Sequence, residues 1–166
     1  MTKPADFRVL TQAAAPVVRF DDKLRLLAER MLLTLRAARG LGLAAPQVGV
    51  LRQVVVIDPA APGDGGRAEP LILVNPVITE AAGETIDLWE GCLSLPGMIG
   101  EVSRRAWVSL SYQDLGGATC RLERLAASPS SLGHAAQHEI DHLHGILFTT
   151  KLTAAGGLRP AARAER

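Results

Sequence analysis

The sequence predicts an α+β fold. Mixed or antiparallel β-sheets pack around a C-terminal helix carrying QHEIDHLHG (137–145), with another helix towards the N-terminus. Three observations predict it. A helical pattern comes first, a cluster of strand-like runs follows, and a second helical pattern comes last, so strands are grouped rather than alternating with helices. Two of the runs are joined by DLGG (114–117), a hairpin signal that asks for antiparallel pairing. The chain has 166 residues, 48% of them apolar, which suits one domain burying roughly two-thirds of its unfolded surface. That domain is placed at residues 1–153 and a flexible tail at 154–166.

The elements follow in order. DKLRLLAERMLLTLRAAR (22–39) puts Leu24, Leu27, Ala28, Met31, Leu35 and Ala38 on one stripe, the spacing of an amphipathic helix. Asp21 or Asp22 can cap its start and Gly40 its end. GLGLAAPQVG (40–49) is too rich in small residues for a regular helix and reads as a tight loop. QVVVID (53–58) is a strand run, and APGDGG (61–66) is a surface turn. PLILVNPVIT (70–79) is a second strand run, broken by Pro76 and so expected at an edge or bulge. ETIDLWEGCLSLPG passes through a short strand into a turn-rich loop, and the hairpin around DLGG comes next. The last helix is expected from Ser128 as N-cap, with Pro129 at its first position and Gly145 closing it.

Charge is balanced, with 18 basic against 17 acidic residues. That gives no sign of a general DNA or membrane binder. No apolar run approaches the ~18 residues of a membrane span, and MTKPADFRVL is unlike a secretory signal. A cytoplasmic protein with reduced Cys92 and Cys120 is the expectation.

The chemistry lies in the last helix. His138 and His142 are one turn apart, so both rings can reach one cation. Glu139 points about 100° away around the axis, where it can reach a water without being a ligand. Two imidazoles do not complete a catalytic site, which ordinarily has three protein ligands. The candidates are Cys92, Cys120, His134, His144 and distant carboxylates. His134, His138 and His142 span about 12 Å along a straight helix, too far for one ion bound at ~2 Å. His134 and His144 therefore read as surface histidines. Cys92 lies in a bendable Gly–Pro context and is favoured over Cys120, which reads as core.

Three stretches together, GLGLAAPQVG, EGCLSLPG and QHEIDHLHG, resemble bacterial peptide deformylase in order and separation, over roughly residues 7–152. The resemblance implies Cys92, His138 and His142 as ligands of one divalent metal. Fe2+ is the native ion, and Zn2+, Ni2+ or Co2+ can take its place. It implies removal of the N-formyl group from the N-terminal formylmethionine of new polypeptides, releasing formate. Glu139 is then the proton carrier. The Gln47 amide and the Leu93 backbone N–H are the oxyanion donors, and Leu41, Gly42 and Gly91 contact an extended peptide as an added strand. Leu88 is a candidate wall for the methionine side chain, and Asp141 with Arg104 a candidate anchoring pair. Implied partners are N-formylmethionyl peptides and, through Arg159, Arg163 and Arg166, the ribosome near its exit tunnel; a merely solvated tail is the alternative.

The sequence also departs from the family. Ile99 stands where a peptide-holding arginine or other polar group is common, Ser131 where a pocket leucine often lies, and Ala136 where a bulkier apolar residue is usual. The opening DFRVLTQAAAPV is a degraded version of the family's, and LFTTK lacks a frequent aspartate. These changes leave a rival reading open: a related enzyme acting weakly or on another N-acyl substrate. A zinc endopeptidase and a metal-stabilised binding module are further rivals.

Overall fold

The structure, a computed structural model, describes residues 7–59 and 69–161. A one-turn helix α1 (Phe7–Leu10) precedes α2 (Asp22–Ala38). Among the described residues seven strands follow: β1 (Gly42–Ala44), β2 (Val54–Ile57), β3 (Leu71–Ala81), β4 (Thr85–Cys92), β5 (Leu95–Arg105), β6 (Trp107–Gln113) and β7 (Thr119–Ala126). Then come α3 (Leu132–Leu143) and a short strand β8 (Arg159–Pro160). One sheet has the order β1–β2–β3–β6–β7 and the other β4–β5–β8. Every pairing between these strands is antiparallel, so the α+β expectation resolves to its antiparallel form.

β2 explains how the two long helices are placed. Its residues Val54, Val55, Val56 and Ile57 are all fully buried, because a helix covers each face of the sheet. Val55 and Ile57 pack with Ala135, Ala136, Ile140 and Leu143 of α3. Val54 and Val56 pack with Leu24, Met31 and Leu35 of α2. A continuous apolar run is the signature of a strand enclosed on both sides. Each such side chain contributes roughly 1.5–3 kcal/mol by leaving water.

Helix ends differ from expectation in instructive ways. Asp21 caps α2 through bonds from the Lys23 and Leu24 N–H groups. The left-handed residue at its other end is Arg39 (φ 54°), not Gly40. Gly40 is instead needed for space: a Cβ there would lie 2.8 Å from Leu93 and 2.9 Å from Leu35. The N-cap of α3 is Ser131 rather than Ser128, its hydroxyl accepting the His134 N–H. Ser130 adopts φ 58°, so residues 128–131 form a turn before the helix begins. Gly145 does close α3, with φ 72° and its N–H on the His142 carbonyl.

The strand expectations are also refined. GLGLAAPQVG is not a plain loop but β1 followed by a 3-10 turn, Ala45–Val48. The turn-rich stretch after Cys92 narrows to residues 93 and 94, and LPGMIGEVSRR is a full strand, β5, paired with β4. Pro76 does sit at a bulge, but in the sheet interior: the β3–β6 register shifts between Val74 and Val77. There Asn75 (φ 50°) clamps Val17 by bonds to both its N–H and C=O. In the segment assigned to the tail, β8 pairs Arg159 with Ile99 and Pro160 with Met98, and Gly156 accepts the Glu101 N–H. The expected turn at 61–66 lies outside the described residues.

Candidate metal centre

The site forms where the end of β4 meets the middle of α3. The β4–β5 register shifts between Gly91 and Cys92. From α3, His138 and His142 present rings whose centroids are 5.0 Å apart at 75°. Cys92 Sγ is 3.3 Å from His142 Nε2. One donor atom from each of Cys92, His138 and His142 lies within 4.8 Å of the other two. A tetrahedral ion with bonds of about 2.3 Å to sulfur and about 2.0 Å to nitrogen sets its donors roughly 3.3–3.6 Å apart. The set therefore fits a borderline or soft divalent cation. His138 and His142 are 8% and 1% exposed, while Cys92 is half-buried.

The two rings differ in basicity. Burial opposes charge on His138, but its hydrogen bonds to Cys92 and Glu90 outweigh this and raise its pKa to about 10. Burial and then the neighbouring His138 charge push His142 down to about 3. The two rings are thus not both cationic, and His142 is available as a neutral donor. Among the described residues His142 Nδ1 has no hydrogen-bond partner.

Glu139 lies beside this group but outside it. Burial, against the pull of His138, raises its pKa to about 7, where a carboxyl both takes and gives a proton near neutral pH. Its Oε2 is enclosed and without a partner among the described residues. β1 passes so close that a Cβ on Gly42 would stand 2.7 Å from Glu139 Oε1, so only glycine fits there.

Gln47 is held by the 3-10 turn after β1. Its Oε1 accepts the Ala44 N–H at 2.7 Å, and Nε2 donates to Cys92 Sγ at 3.5 Å and Ser94 Oγ at 3.2 Å. Leu93 follows Cys92 in the hairpin turn. Leu41, Gly42, Gly91 and Leu93 all line one cleft of about 510 Å³, together with Gln47, Cys92, His138 and Glu139. All nine sequence-predicted positions are thus close to one another, with His142 behind the wall.

Several expectations need correction. Leu88 is buried in the β4–β5 ladder opposite Val102 and does not line the cleft; Trp89, Met98, Ile99 and Ala135 do. His134 is not a surface histidine: it is 8% exposed, with Nε2 2.9 Å from Glu90 Oε1. His144 is exposed, as expected. Cys120 is half-buried on β7 rather than core. Ser131 caps α3, and Ala136 is wholly buried against the sheet.

The residue missed from sequence is Glu90. It is 3% exposed and accepts from Arg104, His134 and His138. Burial works to raise its pKa, but those three donors hold it well below the usual carboxylate range. Arg104 continues to Asp141, the anchoring pair expected, and Lys151 bonds the same carboxylate. A signal existed: a metal-binding imidazole usually donates its other N–H to a carboxylate, and Glu90 stands two residues from Cys92.

An antiparallel α+β scaffold with a His-Glu-x-x-His helix, a converging thiol and an adjacent buried carboxyl defines a class, the metal-dependent hydrolases. The polypeptide deformylase family model matches residues 2–156. The peptide deformylase of Chloroflexus aurantiacus is 43% identical over 163 residues, covering 93% of this chain and 85% of that protein. That of Thermosynechococcus vestitus is 44% identical over 145 residues, covering 87% and 74%. Among solved structures, the Synechococcus elongatus peptide deformylase in complex with actinonin superposes with a TM-score of 0.83 at 41% identity, covering 93% and 80%. The Thermotoga maritima enzyme gives 0.80 at 35%, covering 92% and 98%. The chain belongs to the polypeptide deformylase family. It is a metal-dependent hydrolase that removes the N-formyl group from nascent peptides; an enzyme for another N-acyl substrate is not favoured.

Proposed function

We propose that the substrate is the N-terminal formylmethionine of newly made chains and that Cys92, His138 and His142 hold one Fe2+ ion. The observation that carries this is the convergence of those three donors with Glu139 and Gln47 at one cleft. When bound, such a cation supplies Lewis-acid chemistry, polarising a carbonyl and lowering the pKa of water. The thiolate softens the cation's charge and makes the site sensitive to oxygen.

The chain's own residues do the rest. Glu139 takes the proton released as water adds to the formyl carbon, holds it on its carboxylate, and delivers it to the departing amine nitrogen. The C–N bond breaks, leaving formate and a free N-terminus. Gln47 Nε2 and the Leu93 N–H donate to the oxygen on which negative charge develops. β1 is an edge strand, so an extended peptide can pair along Leu41 and Gly42, with Gly91 across the cleft. Met98, Ile99 and Ala135 offer apolar surface to the methionine side chain. No helix among the described residues is long and apolar enough to cross a membrane; we place the protein in the cytoplasm and propose the ribosomal RNA contact for Arg159, Arg163 and Arg166, the last two lying outside the described residues.

The test is formate release from a formyl-methionyl tripeptide, with anaerobically purified protein and its metal measured. Glu139→Gln should keep the metal and the fold yet lose about 10³-fold in kcat, within the range of general acid–base catalysis. Wild-type rates in that variant would overturn the reading.

A further inference from the structure

His134 lies one turn before His138 on α3, buried, with its ring in the cleft wall. It has no part in the chemistry above. Its Nε2 is 2.9 Å from Glu90 Oε1, while His138 Nδ1 is 2.8 Å from Glu90 Oε2. Arg104 reaches both oxygens. An ionised carboxylate only accepts hydrogen bonds, so each imidazole must bring an N–H. His138 thus commits its Nδ1–H to Glu90 and leaves Nε2 as the atom with which it can ligate a cation. Glu90 is gripped from three sides; of its partners His134 and His138 line the cleft, and His134 is the one of those two outside the metal-ligand set.

We propose that His134 is a positioning residue: by donating Nε2–H to Glu90 Oε1 it fixes the carboxylate that orients His138 for the cation, while the same ring shapes the wall met by the substrate. The inference rests on the reading that Cys92, His138 and His142 hold that cation. His134 thus touches both halves of the enzyme's task. Its Nε2 edge acts on metal affinity through Glu90, and its ring acts on peptide binding directly.

Two variants separate these roles. In His134→Gln the side-chain amide nitrogen takes the place of Nε2 and can still reach Glu90. In His134→Asn it takes the place of Nδ1 and cannot. The Kd for Zn2+ is measured by chelator competition on full-length protein, beside KM and kcat for a formyl-methionyl tripeptide. The Gln variant should bind Zn2+ within about twofold of wild type. The Asn variant should bind about tenfold more weakly, the lower end of what the outer partners of a metal ligand contribute. Both should raise KM, because both remove the ring. Equal Zn2+ affinities in the two variants, whether wild-type or weakened, would overturn the proposal, as would failure of both to fold. If wild-type protein binds Zn2+ but releases no formate, the functional reading falls while the Gln–Asn comparison still decides the role of His134.

Discussion

The two long helices press on opposite faces of the same strand and bury opposite kinds of side chain. α2 buries Leu24, Ala28, Met31 and Leu35. α3 buries His134, Gln137, His138, Glu139 and His142 alongside its alanines, Ile140 and Leu143. Burial of aliphatic groups is favourable whatever they touch, so α2 needs only shape. Burial of polar groups is unfavourable unless each finds a partner. α3 is therefore bound to its surroundings by named contacts. Gln137 bonds the Arg105 N–H and C=O, His134 and His138 share Glu90, and Asp141 holds Arg104 and Lys151. A buried polar face is informative about function in a way that a buried apolar face is not.

Breaking the polar side of this contrast should have the largest effect. Arg104→Met leaves Glu90 buried with its principal cation gone, and breaking such a pair costs about 3–5 kcal/mol. Urea unfolding of the metal-free variant measures this directly; a loss below about 1 kcal/mol would show that the network is not what secures α3. The apolar side breaks more simply. Leu35→Ala, at a wholly buried site, should lower unfolding free energy by about 3 kcal/mol, with formate release per folded, metal-loaded molecule unchanged. A matching fall in kcat would mean that α2 shapes the catalytic geometry as well as the core.

Acid sharpens the comparison. Glu90 has a folded-state pKa below its unfolded value of about 4.5. Its contribution is present above that pH and is lost as pH falls below it, because the unfolded chain then binds the proton more readily. Metal-free protein should lose stability as pH drops below about 4.5, and Glu90→Gln should flatten that limb. Leu35→Ala should shift the whole curve down without changing its slope. The smallest effect belongs to the outer face of α2: Leu33 is 66% exposed, and Leu33→Lys should change the unfolding free energy, read from urea unfolding, by no more than about 0.5 kcal/mol.

The same contrast explains what could be read from the sequence. α2 was legible because its stripe, its Asp21 cap and its burial all follow from one local period. The phase of α3 was legible because His138 and His142 declare it, and Cys92 because its neighbours match a known family motif. β5 was hidden by Pro96, Gly97 and Gly100, which read as turn residues although the ladder with β4 overrides them. β8 was hidden because its pairing with Met98 and Ile99 is long-range and its composition is that of a loose tail. Glu90 was missed, and His134 misread as a surface histidine, for a related reason. Glu90 acquires its role from Arg104 and His138, 14 and 48 residues away, and His134 from Glu90, 44 residues away; no local pattern encodes such meetings.

β2 carries one last implication. Four consecutive residues support the catalytic helix with every second side chain and the structural helix with the others. Neither helix can loosen without disturbing the strand that seats its counterpart. Heat inactivation should thus be abrupt and coincide with global melting, with no range of temperature in which a folded but catalytically slack enzyme accumulates.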